Sequence, residues 1–142
     1  MFYGDQIRDT RQFFYTSWHK HRQKQALMPL ERQIVAVILD HPEYHAMLDK
    51  PMPDNEAAYF PEMGQTNPFL HMGLHLAVRD QLAVDKPTGI ADLHRQLLQK
   101  YQDALLVEHL IIDQFAECLW NAQRQHSSPD DVAYLAAIKR LV

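Results

Sequence analysis

Apolar residues return along this chain every three or four positions, the repeat that lines one face of an α-helix, and alternating β-branched stretches are few. The first stripe, Ile7, Phe14 and Trp18, predicts a helix from about Asp5 to Lys24. Pro29 suits the first position of a second helix, which carries Leu30, Ile34, Val37 and Ile38. Pro42 kinks or ends that helix, because proline removes a donor and clashes with the preceding turn; Pro42 to Leu48 is the place for a short restart. From Asp49 to Thr66, Pro51, Pro53, Pro61 and Gly64 break any regular element. An irregular segment of that length is uncommon inside a domain and often functional. Asn67 and Pro68 then read as N-cap and first residue of a helix reaching about Val84. After a turn at Pro87, Thr88 and Gly89, a helical stretch runs to about Tyr101. Asp103 is placed to cap a fresh helix to Arg124, and the pattern leaves open whether these two are one helix or two. Ser128–Pro129–Asp130–Asp131 sets cap, proline and first-turn acids in order for a closing helix. The expectation is an all-α, single-domain bundle over residues 1–142, of about five or six helices.

Composition narrows the function classes. At 142 residues, 46% hydrophobic and 23% charged, the chain has the balance of a soluble globular domain able to bury a core. A net charge of −4 argues against a nucleic-acid role, which needs a basic surface for phosphates. The short basic run from His19 to Lys24 suits a helix C-terminus, where cations complement the dipole. His19, His21, His94 and His126 read as solvated or surface residues. The single cysteine, Cys118, has no internal disulfide partner, which fits a reducing cytoplasm. No apolar run reaches membrane-spanning length, and Met1 to Arg11 is charged rather than signal-like.

The chemistry lies in three pairs with a four-residue step: His41/His45, His71/His75 and His109/Asp113. Residues one turn apart share a helix face, so each pair can aim two ligands at one point. On the Asn67–Val84 helix, Leu74, Val78 and Leu82 form an arc with His71 inside it and His75 at its edge. On the later helix, Leu105, Ile112, Ala116, Leu119 and Trp120 define an apolar face with His109 near its centre and Asp113 beside it. A carboxylate on an apolar face is costly unless paired, hydrogen-bonded or bound to metal. His41 joins the apolar side only if its helix survives to Pro42, and His45 follows only if the kink is mild. Gly73 leaves room for a close helix approach. The plainer reading of each histidine is a core residue bonded to a backbone carbonyl, and of Asp113 a partner for Arg79 or His109.

The stretch NPFLHMGLHLAVRDQLAVDKPTGI, with MFYGD at the start, HPEYH after Asp40 and Glu108–His109 later, resembles a bacterial family of short proteins, a domain of unknown function (DUF1841). The resemblance covers most of the chain and implies a cytoplasmic bacterial protein, with no activity attached. The chemistry is also similar to that of hemerythrin-like and ferritin-like bundles, but the Glu-x-x-His pairs those sites require are missing.

Two functional readings follow. In the first, His71, His75, His109 and Asp113, joined by His41 or His45, hold zinc, iron, manganese or nickel. Glu108 or Glu117 would orient a ligand or act as a base near bound water, and Tyr59, Phe60 and Glu62 would form a lid. An open coordination position would make this a metalloenzyme, a closed shell a structural or storage site. In the second, the chain is a non-catalytic module that oligomerises or binds a partner through Phe13, Phe14, Tyr15 and Trp18 or through Tyr59–Phe60–Pro61. Ordinary core packing is the plainer fate of those aromatics. Nucleophilic catalysis lacks a motif, since no Gly-rich nucleophile turn or phosphate loop occurs.

Overall fold

The computed structural model describes residues 3–53 and 67–142, with side chains from residue 10 onward. Among the described residues the chain is all-α, with seven α-helices, one 3-10 turn and no strand. They are α1 Tyr3–Arg22, α2 Pro29–Leu39, the 3-10 turn Pro42–Tyr44, α3 His45–Leu48, α4 Pro68–Val84, α5 Ile90–Tyr101, α6 Ala104–Arg124 and α7 Asp131–Lys139. The count exceeds the expected five or six because α3 stands alone and α5 and α6 are separate. The proposed lid residues Tyr59, Phe60 and Glu62 lie outside the described residues, as does the part beyond Pro53 of the segment expected to be irregular.

Local chemistry sets the helix ends. The Asn67 carboxamide oxygen accepts from the Phe69 and Leu70 N–H groups at 3.0 and 3.3 Å, satisfying donors that a helix start leaves free. Gln102 turns left-handed at φ 54°, which closes α5, and the Asp103 carboxylate then accepts from Leu106 N–H at 3.1 Å to open α6. This settles residues 89–124 as two helices. Asp85 serves α5 by accepting from Gly89 and Ala91 N–H. At α7 the cap is Asp130, which accepts from Ala133 N–H at 3.0 Å, rather than Ser128 two residues earlier. No helix among the described residues is long and apolar enough to cross a membrane.

The chain divides into two compact units, Met1–Leu76 and Ala77–Val142. The core of the first gathers Phe14, Tyr15 and Trp18 of α1, Ile34, Val35, Val37 and Ile38 of α2, Leu48 of α3, and Phe69 and Met72 of α4. Phe69 meets the Phe14 and Tyr15 rings at 5.8 and 5.9 Å, which pins the start of α4 to α1. The Phe13–Trp18 aromatics are therefore core rather than a docking surface, with only Phe13 of the four exposed. His19 and His21 are half-buried rather than solvated. The His19 Nε2–H donates to Leu48 O at 2.8 Å, and the His21 ring lies 5.3 Å from that of Trp18.

The buried stripe of α2 departs from expectation at its first turn. Leu30 is exposed and Glu31 is buried. Glu31 accepts from the Met28 N–H at 2.8 Å and from Lys20 Nζ at 2.8 Å, so its burial is compensated at the helix N-terminus. The Lys20 ammonium first, and then the Met28 N–H, hold its carboxyl below the usual carboxylate range. A carboxyl lowered by folding stabilises the native state while ionised, above its unfolded-state pKa, and that stabilisation is lost as pH falls through the lowered folded value. Melting of wild type and Glu31→Gln, both in chelator, should differ at neutral pH, with wild type higher. The gap should narrow as the pH falls below the ordinary glutamate value and close once it has passed the lowered folded value. A gap that persists in acid would assign the difference to packing.

The second unit buries Val78 of α4, Ile90 and Leu97 of α5, Val107, Ile111, Ile112 and Ala122 of α6, and Tyr134 and Ile138 of α7. The Tyr134 hydroxyl donates to Gln81 Oε1 at 2.7 Å, tying α7 to the end of α4, and burial pushes its pKa up. The buried face of α6 is rotated from the expected one. Leu105, Leu119 and Trp120 are exposed, while Glu108 is buried and accepts from Arg79 Nε at 2.9 Å. His94 is half-buried rather than a surface residue. Burial lowers its pKa, and the Glu108 charge partly opposes the shift.

Candidate metal centre

Three of the six candidate ligands, His41, His71 and His75, converge within the first unit. The step from 71 to 75 is one helical turn of α4, so both rings project from the same side, as the spacing predicted. Met72, His75 and Val78 have no exposed surface, whereas His71 is half-buried. His75 is thus the buried member and His71 the flanking one, the reverse of the expected arc. Among the described residues an added Cβ at Gly73 would meet nothing within 4 Å, so none of them makes a close approach to that glycine.

His41 arrives by a different route. Pro42 ends α2 at Leu39 rather than kinking it, and His41 takes a non-helical conformation, φ −128° and ψ 68°, as cap of the 3-10 turn. Its ring is 3% exposed, and the Tyr44 ring stacks beside it at 5.7 Å, nearly parallel. Burial raises the Tyr44 pKa, and the Glu43 charge adds to this. His41 Nδ1 lies 2.7 Å from Val37 O. A carbonyl only accepts, so Nδ1 carries the hydrogen and the neutral ring presents a lone pair at Nε2.

The three rings meet through their Nε2 atoms. His75 Nε2 is 3.2 Å from His41 Nε2 and 3.2 Å from His71 Nε2. The ligand nitrogens all lie within 4.8 Å of one another. Nitrogens about 2.1 Å from a shared ion stand roughly 3.0–3.4 Å apart for octahedral to tetrahedral angles. The 3.2 Å contacts fall in that interval. Hydrogen bonding alone serves this arrangement poorly. With His41 offering a lone pair, a hydrogen on His75 Nε2 can point to one neighbour, and the second contact then sets that same N–H against another ring nitrogen. One proton joins two imidazoles, whereas one cation accepts from all three.

The other candidates have different fates. His45 is not one turn along a helix from His41, because the chain turns at Pro42. Its Nε2–H donates to Ile38 O at 2.7 Å, and its ring stacks on Trp18 with centroids 4.5 Å apart. It is the backbone-bonded histidine of the plainer reading, half-buried rather than in the core. His109 sits on α6 in the second unit and is half-buried, at the flank of the stripe formed by Glu108, Ile111 and Ile112. Asp113 is exposed, which removes the buried carboxylate that had singled it out, and Glu117 is exposed as well. What sequence reasoning lacked was the role of Val37 O and Ile38 O, the α2 end that holds both His41 and His45. The proline one residue after His41 was the signal for it.

No curated protein and no solved structure matches the chain. A family model spans residues 6–140, nearly the whole chain and all of the histidines above. The chain belongs to that family, described as Domain of unknown function (DUF1841).

Proposed function

We propose that this protein binds a divalent transition-metal ion through the Nε2 atoms of His41, His71 and His75. The observation that carries the reading is His75 Nε2 lying 3.2 Å from both neighbouring Nε2 atoms while His41 keeps its hydrogen on Nδ1. The Val37 carbonyl at His41 Nδ1 is the outer-shell partner that metal-binding histidines almost always have. Neutral imidazoles favour zinc, nickel or iron(II) over manganese, which prefers oxygen donors. The sequence adds His109 as the candidate fourth donor. With it the shell closes and the ion is structural or stored. With water there instead, the ion is a Lewis acid and a generator of hydroxide.

Untagged protein should carry up to one ion per chain or take one up when zinc, nickel or iron(II) is supplied. Binding to the folded state alone contributes about 2.7 kcal/mol when free ion is a hundredfold above Kd. For a chain of this size that corresponds to roughly 8–10 °C in Tm, removed by chelator. Protein that takes up no ion and melts identically with and without chelator would overturn the proposal. The cobalt(II) spectrum of wild type and His109→Ala then separates a closed four-imidazole shell from one with water in the fourth position.

A further inference from the structure

We infer that His45, though no ligand itself, is the positioning residue that holds His41 ready for the ion; the inference rests on the metal-binding reading above. His41 does not stand on a helix, so no ladder of backbone bonds fixes its direction. Its place comes from the C-terminal end of α2, where the last carbonyls lack intrahelical partners and form the negative end of the helix dipole. Three N–H groups of His41 and His45 close on two of those carbonyls, and Val37 O also accepts from the Asp40 N–H at 3.1 Å. The His41 Nδ1–H donates to Val37 O at 2.7 Å, the His41 backbone N–H donates to Ile38 O at 2.9 Å, and the His45 Nε2–H donates to the same Ile38 O at 2.7 Å. Ile38 O thereby has both lone pairs engaged, one by the residue that carries the ligand and one by His45.

His45 is itself held. Its ring lies on the Trp18 indole at 4.5 Å with the planes inclined by 32°. Trp18 is 1% exposed, its Nε1–H donates to Asp49 Oδ1 at 2.8 Å, and the Arg22 guanidinium lies 4.6 Å from its ring centroid. A chain of contacts thus runs from the α1 core through Trp18 and His45 to the Ile38 carbonyl, and from there to the turn that aims His41 Nε2. Losing the His45 donor frees one lone pair of Ile38 O and lets the turn relax, at the cost of the fixed His41 tautomer.

Two variants separate this from packing. His45→Phe keeps a ring against Trp18 and removes the N–H; His45→Gln keeps an N–H donor and removes the ring. Zinc affinity is read by competition with a chromophoric chelator, and the His41 ring tautomer in metal-free protein by long-range 1H–15N correlation. His45→Phe should weaken zinc binding about 10–100-fold, the range for loss of an outer-shell partner. It should also turn a single Nδ1–H tautomer of His41 into a mixture, and His45→Gln should recover most of both. Wild-type affinity and an unchanged His41 tautomer in His45→Phe would overturn the inference. So would equal losses in the two variants, which would make His45 a packing residue. If wild type binds no ion, the metal reading fails by itself, and the His41 tautomer still decides whether His45 positions that ring.

Discussion

His75→Ala should come out of purification without metal and take none up, with affinity reduced more than about 100-fold, beyond what an outer-shell change produces. His75 Nε2 stands 3.2 Å from the Nε2 atoms of both His41 and His71, so its loss removes the donor that the other two meet. The variant should melt at the same temperature with and without chelator, because no ion remains to bind the native state preferentially. It also leaves a cavity where a fully buried ring stood, so its Tm should fall below that of metal-free wild type as well. Free imidazole added to His75→Ala should enter that cavity and restore part of the metal uptake, which a purely structural role for His75 would not allow. Asp113→Asn is the matched control. Being exposed, Asp113 should leave chelator sensitivity intact. Retained stoichiometric metal in His75→Ala would place the ion elsewhere.

Much of the architecture was legible because helix punctuation is local. Asn67 before Pro68, Asp103 after Gln102, and Pro29 at a helix start each act within three residues, and their caps form as the residue types dictate. The 71/75 pair was legible for the same reason, since one uninterrupted helix carries both. His41 was legible as a candidate and illegible as geometry. Whether Pro42 kinks or ends a helix depends on what pays for the freed carbonyls, and the donors are a His41 ring nitrogen and a histidine from the next helix. The α6 face was misplaced because its apolar residues wrap the helix. With Leu105, Leu119 and Trp120 exposed and Glu108 buried against Arg79, a tertiary ion pair chose the inner face. Asp113 drew attention through that misplaced face as well as through its four-residue step from His109. Glu31 shows the same limit on α2, where Lys20 of α1 compensates a carboxylate that composition would put outside.

Trp18→Ala should be among the most destabilising single changes in the first unit. The indole is 1% exposed, lies in the core with Phe14, Ile38 and Leu48, and donates Nε1–H to Asp49. Deleting a buried aromatic of this size costs about 3–5 kcal/mol through lost transfer energy and the residual cavity. In a chain of this length that is roughly 10–17 °C in Tm. Trp18→Phe should recover most of that loss, since a ring still fills the space, while leaving the Asp49 carboxylate with Arg22. The Asp49 carboxyl, held below its usual range by Arg22 first and by Trp18 second, should then titrate higher in Trp18→Phe than in wild type, by loss of the second donor. Because the indole is also the surface on which the His45 ring rests, Trp18→Ala should weaken zinc binding in addition to lowering the melt of metal-free protein. A Trp18→Ala protein whose metal-free Tm falls by 10 °C or more while its zinc affinity stays at the wild-type value would show that the core and the His41 turn are energetically separate.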